Sequence, residues 1–310
     1  MNSLGYFKFS ALLAVLSLGL SCSELAYAQA VHANDNHAQA KKSSAEGKKA
    51  TRIIALAPHI VENLFTIGAG HLIVGTTDFS DYPTQAKQIP VIGNYATLSV
   101  EKILSLKPDL VIAWRTGNPP ADLEKLKKYG INVVYSHPVE LNDVAKELLW
   151  LGELTGYQAK ATQQANQFKQ RLTLLQSTYR GLQAMDVFYE LWPQPLTTVA
   201  KQSWLQKQLD VCSANNPFVD SETDYPQVNL EQVVLSQPQV IIRPSSVANN
   251  ANFANHWQQW TTIPAVQENR FIITNADRSH RTTVRVLDEI NELCKQLDSY
   301  RKQLVAKPEQ

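Results

Sequence analysis

The sequence predicts an α/β protein of two similar α/β lobes bridged by one long rigid helix, with a cleft between the lobes. Three observations predict it. Short apolar strands alternate with helical periodicities in both halves, as largely parallel sheets require. A single helical stripe, interrupted by no Gly or Pro before Gly181, separates the halves. A segment of the first half recurs in the second.

Composition sets the bounds. The chain has 310 residues, 44% of them hydrophobic and 18% charged, with a formal net charge of +1. That apolar content can fill real cores, so wholesale disorder is excluded. A near-neutral chain is not a general nucleic-acid binder, which needs a basic excess. The length suits about two domains. With 3 cysteines it is not a disulfide-dense miniprotein. The one apolar stretch that resembles a membrane segment lies at the N-terminus, which excludes a multi-span transporter.

Residues 1–28 read as a signal peptide. Lys8 gives the positive start, residues 9–20 are apolar or small, and Ala26-Tyr27-Ala28 is an A-x-A cleavage site. The mature chain then starts at Gln29, in the periplasm. The rival reading makes Cys22 a lipidated residue, although Gly19-Leu20-Ser21 fits a lipobox poorly. Residues 29–50 carry no apolar period and read as a disordered tether. His32 and His37 lie there, either solvated or able to capture a metal.

The first lobe, residues 51–156, opens with a strand over 52–57 ended by Pro58, and a second strand follows over 72–76. Gly68-Ala69-Gly70 ends a helix pattern and does not open one, so it reads as a helix stop and not a dinucleotide loop. Then come a helix over 100–106, a strand over 110–113, a helix over 122–129 and a strand over 133–135. The bridging helix takes residues 157–183. Ala161, Ala165, Phe168, Leu172, Leu175, Tyr179 and Leu182 step by four and three along one face. At 1.5 Å per residue it spans about 40 Å. The second lobe, residues 184–310, has strands over 186–191, 240–243 and 270–274. Its helices fall over 204–211, 231–235 and 285–303.

The repeat is explicit. Residues 98–112 read LSVEKILSLKPDLVI and residues 228–242 read VNLEQVVLSQPQVII. At one constant offset Glu101 matches Glu231, Pro108 matches Pro238 and Tyr95 matches Tyr225. Each copy reads as a short helix, a Pro-marked turn and a buried strand. Two readings of the glutamates stand. They favour the helix dipole beside the caps Ser99 and Asn229, or they are acidic knobs for basic pockets on a partner. After export, Cys212 and Cys294 remain. They form one disulfide, worth about 4.5 kcal/mol by chain entropy, or stay as two buried thiols. Zinc fits worse, because no C-x-x-C pair is present.

RIIALAPH, TTDFSDYPTQAKQIPVIGNY, LSVEKILSLKPDLVIAWRTGN, LDVCSANNPF and DYPQVNLEQVV together resemble the cobalamin-binding proteins of bacterial ABC importers. These belong to the helical-backbone solute-binding family, which also carries iron siderophores and haem. The resemblance covers about residues 52–300. It implies that the ligand sits in the cleft between the lobes and that closure is small. It implies delivery of cobalamin (vitamin B12) or a related corrinoid to an inner-membrane ABC permease by a monomer. The alternative on the same fold is a ferric siderophore or haem.

The resemblance also implies roles. Tyr95 and Tyr225 lie where the family has a Trp in each lobe. Phe79 matches an aromatic just before SDYP, and Tyr82 lies within that motif. Trp114 and Arg115 match a WR pair, and Leu191 and Trp192 lie in a cleft-lining segment. Glu101 and Glu231 match permease-docking glutamates. Cys212 and Cys294 match the family's disulfide. The chain departs from the pattern at both Trp positions and around Asp277, where Arg278, Ser279 and His280 replace a more aromatic, acidic run. Arg243, Arg278 and Arg281 either bind an anionic ligand, or pair with local acids such as Asp277 or stay solvated. No catalytic motif is present: no H-E-x-x-H, G-x-S-x-G or P-loop. His59, His137 and His280 each follow a strand, as surface or cleft histidines or as scattered metal ligands. An enzyme, a resident cofactor and a protein-held metal are not expected.

Overall fold

The computed structural model describes residues 49–94, 96–245 and 256–306. The export segment with Cys22, the tether histidines His32 and His37, and Tyr95 lie outside the described residues.

The first lobe begins where three consecutive buried apolar residues make strand β1 (Ile53–Ala55). Pro58 then opens helix α1 (Pro58–Thr66), at a position where its missing N–H leaves no orphan. This is the helix that Gly68-Ala69-Gly70 stops, and Gly68 takes φ 87°, which an L side chain resists. Strand β2 (Ile73–Thr76), helix α2 (Val100–Ser105), strand β3 (Leu110–Trp114), helix α3 (Pro120–Lys128) and strand β4 (Val133–Ser136) follow the sequence pattern closely. Helix α4 (Asp143–Thr155) is an element the sequence reading does not assign. Its apolar residues run almost without interruption over Leu148–Leu151, so a one-sided period is hard to see.

The bridging helix, α5, runs Gln158–Tyr179 and buries Ala161, Ala165, Phe168, Leu172, Leu175 and Tyr179, as the period requires. It ends four residues before the predicted stop. Gly181 takes φ 76°, and Leu182 falls off the buried stripe and is exposed. The second lobe holds strand β5 (Met185–Tyr189), a two-stranded antiparallel hairpin of β6 (Trp192–Pro193) and β7 (Leu196–Thr197), helix α6 (Trp204–Val211), strand β8 (Ala214–Asn215), helix α7 (Leu230–Ser236) and strand β9 (Val240–Ser245). Helix α8 (Pro264–Gln267), strand β10 (Phe271–Asn275), helix α9 (Ala276–Ser279) and helix α10 (Val286–Ala306) complete it.

The repeat is a structural repeat. The first sheet has the order β2-β1-β3-β4, and the second, read from the matching edge, β8-β5-β9-β10, with every pair parallel. Strands β3 and β9, the two copies of the repeated segment, occupy the same place in their sheets. Even the backbone repeats: Lys107 and Gln237, each before the repeated Pro, take φ 47° and 46°. Helices α2 and α7 are capped alike, by Ser99 and by an Asn229 capping box with Gln232.

Among the described residues, three apolar clusters form the core. One lies on the α2–α3 side of the first sheet, around Ile54, Leu56, Val111 and Leu126. A second lies on the α7–α8 side of the second, around Phe188, Val233, Ile241 and Trp257. The third and largest joins the opposite faces of both sheets through the α5 stripe, from Ile53 and Ile112 to Val187 and Val240. Cys212 and Cys294 form a disulfide that ties the end of α6 to α10. Among the described residues no helix is long and apolar enough to cross a membrane.

Candidate functional site

In parallel sheets, sites form beyond the carboxyl ends of the strands. Here the segments that follow those ends in the two lobes meet one another. Asn63 of α1, which follows β1, donates to the Thr282 carbonyl oxygen beyond β10 at 3.1 Å. Glu62, fully buried in the same helix, binds Arg281 at 2.8 Å and Arg285 at 2.5 Å. Arg281 also holds Asp81, in the loop after β2, at 2.9 Å and Asp277 at 2.7 Å. Burial lowers the Arg281 pKa, but the Glu62, Asp81 and Asp277 carboxylates outweigh burial and raise it. The segments beyond the strand ends of the two lobes therefore meet through this ionic contact.

Exposed aromatics stand at those strand ends. Large aromatic side chains are usually covered in a folded chain, yet Phe79 is 75% exposed, Trp192 60%, Tyr225 47%, Tyr82 46% and Trp114 37%. Trp114 is the last residue of β3. Phe79 and Tyr82 follow β2, and Phe79 is held at φ 64°, a strained region for a bulky residue. Trp192 lies in β6, just past β5. Burial, with Asp224 beside it, raises the Tyr225 pKa, while a hydrogen bond to the Trp204 backbone opposes the rise.

Trp114 rests on a buried polar chain. The His59 ring meets the Trp114 ring edge-on, with centroids 5.8 Å apart. His59 Nε2 lies 2.9 Å from Ser136 Oγ at the end of β4. Ser136 in turn hydrogen-bonds Glu147 of α4. Burial, assisted by Arg281, lowers the His59 pKa to about 3. Burial raises the Glu147 carboxyl to about 7.

Other expected residues are placed differently. Leu191 is partly buried and packs against the main core. Arg115 lies over the Tyr135 ring, 5.1 Å from its centroid. Arg243 has its Nε 3.7 Å from an oxygen of buried Glu190, which also accepts from the Trp257 indole at 2.6 Å. Arg278 is half-buried on α9, with its backbone capped by Asn275 and Glu289 nearby. Arg281 thus pairs with three carboxylates, and Arg243 lies against Glu190. His137 and His280 are exposed, and among the described residues no three His, Cys, Asp or Glu side chains gather in a metal-holding group. Glu101 and Glu231 are exposed, each in the first turn of its repeated helix.

Sequence reasoning misses Glu62, Asp81, Arg285 and Glu147. One signal for Glu62 exists: Glu62-Asn63 interrupts an otherwise apolar helix, IVENLF.

A profile of the family described as periplasmic binding protein matches residues 53–277. A protein of Vibrio cholerae serotype O1 named vitamin B12-binding protein is 37% identical over 254 residues, covering 82% of this chain and 91% of that one. A protein of the same name from Yersinia pestis is 33% identical over 250 residues, covering 81% and 87%. The crystal structure of the periplasmic vitamin B12 binding protein BtuF of Vibrio cholerae is similar at a TM-score of 0.74 and 37% identity, covering 82% of this chain and 98% of that one. A periplasmic heme-binding protein from Roseiflexus shares the fold at a TM-score of 0.73 and 20% identity, covering 82% and 100%.

Proposed function

The chain belongs to the periplasmic binding protein family, and from that premise we propose that it carries cobalamin, or a related corrinoid, in the periplasm to an inner-membrane ABC permease. The exposed aromatics in the segments that follow strands of both lobes carry the reading. A corrin presents a broad, partly apolar ring fringed with amides. Phe79, Tyr82, Trp114, Trp192 and Tyr225 offer flat apolar area, and the tyrosine hydroxyls offer partners for the amides. The resemblance adds Tyr95, which lies outside the described residues. The family relatives at 33–37% identity, which bear the name vitamin B12-binding protein, support the same ligand.

A ferric siderophore or haem is the weaker reading. An anionic chelate needs uncompensated cations, and Arg281 and Arg243 already face carboxylates. Glu101 and Glu231 serve as the docking knobs for basic pockets on the permease. The signal peptide is removed after Ala28, and the mature chain acts as a monomeric carrier without a catalytic step. The bound unit is residues 51–156 and 184–310 around the bridging helix.

Isothermal titration of the mature chain with cyanocobalamin, beside a ferric catecholate and haem, tests the ligand. Saturable one-to-one cobalamin binding at submicromolar affinity is expected. Heat from the iron chelate with none from cobalamin would overturn it.

A further inference from the structure

Tyr82 is an aromatic of the first lobe, but the group that holds it comes from the second. The Arg285 guanidinium lies over the Tyr82 ring, 3.8 Å from its centroid. That guanidinium is itself fixed. Its Nε and a terminal nitrogen donate to the two oxygens of Glu62 at 2.8 and 2.5 Å. Glu62 is 2% exposed, and the Arg285 side chain 16%. A two-point bond to a buried carboxylate leaves the guanidinium plane little freedom. The ring is therefore stacked on a plate that cannot swing. Tyr82 remains 46% exposed with one face covered, so its open surface lies away from Arg285.

We propose that Glu62 and Arg285 are positioning residues for ligand binding, which fix the Tyr82 ring from across the lobe interface and present its open face to the ligand. The ligand part of this inference rests on the corrinoid reading; the placement of the ring does not. A stacked guanidinium favours one ring orientation electrostatically as well as sterically. An aromatic on a loop would otherwise lose rotamer freedom when the ligand arrives, and prior fixation removes that cost. The pair also makes Tyr82 depend on the second lobe: if the lobes part, Arg285 leaves the ring and its anchor together.

The test separates a positioning role from a merely structural one. The mature chain is labelled with 3-fluorotyrosine, and the Tyr82 fluorine resonance is identified by its loss in Tyr82→Phe. Arg285→Lys keeps the charge but removes the planar stack. It should move the Tyr82 resonance in ligand-free protein and weaken cyanocobalamin binding by roughly tenfold. The weakening should vanish in the Tyr82→Leu background, because the lost interaction acts through Tyr82. Glu62→Asp, which keeps the charge and shortens the anchor, should move the same resonance if Arg285→Lys does not fold. An unmoved resonance overturns the proposal. So does a loss of affinity that is equally large without Tyr82. A wild-type chain that binds no cyanocobalamin refutes the corrinoid reading instead, and the fluorine shift alone then decides whether Arg285 positions the ring.

Discussion

Beneath Trp114, two ionisable side chains share one hydroxyl and are pushed in opposite directions by the same cause. Burial disfavours charge, so the His59 pKa falls to about 3 and that of Glu147 rises to about 7. The consequences for stability have opposite signs. The folded chain binds the Glu147 proton more tightly than the unfolded chain does. That contribution is complete below about pH 4.5 and is lost as the pH rises through about 7. The folded chain binds the His59 proton less tightly, so its contribution is complete above about pH 6.5 and is lost as the pH falls toward 3. Between these ranges the slopes offset one another, and above pH 6.5 Glu147 alone remains. Glu147→Gln keeps an oxygen for Ser136 and removes the titration. It should stabilise the protein at pH 8 by up to about 3 kcal/mol and leave stability at pH 4 nearly unchanged. Thermal unfolding at the two pH values checks this. Equal shifts at both would mean that folding does not raise the Glu147 pKa.

At the scale of elements, the contact between α4 and α5 is the most exacting. A Cβ placed on Gly152 would lie 2.5 Å from the Ala161 Cβ, closer than two carbon atoms can stand. Gly152 therefore lets the two helices approach, at the cost of a poor helix former in mid-helix. Gly152→Ala should destabilise by about 1–3 kcal/mol, and adding Ala161→Gly should return part of that loss, as denaturant titration would show. Additive losses would place the contact elsewhere. The same helix pair marks how far the sequence could be read. The α5 stripe, the repeated helix–Pro–strand units and most strands were legible, because each depends on a local period or a local breaker. Helix α4 was not, since apolar residues on nearly all sides erase the period. The exposed aromatics were reachable through the resemblance. The Glu62–Arg281–Arg285 cluster was not, because its members lie 219 and 223 residues apart and only the folded chain brings them together.

For the molecule as a whole, the shared core decides how the two lobes can act. The largest apolar cluster runs from one sheet through the α5 stripe into the other, and the ionic contact at Glu62 closes the same interface beyond the strand ends. Bending the lobes apart exposes core surface and strips partners from a buried carboxylate, both of which are costly. The two repeated helices are thus held at a fixed separation, with Glu101 and Glu231 exposed in equivalent first turns. A rigid pair of knobs can engage a partner at two points at once. Once the first is seated, the second binds as an intramolecular event. Removing either knob should then forfeit most of the gain from both. Glu101→Ala or Glu231→Ala alone should weaken binding to the permease by at least about tenfold, and the double variant should add little beyond the worse single. On the docking reading neither glutamate touches the ligand, so cyanocobalamin affinity should stay within a few tenths of a kcal/mol. Vesicle uptake and titration on the same preparations read both quantities. Single variants that transport at the wild-type rate, or a folded double variant that no longer binds cobalamin, would remove the glutamates from the docking surface.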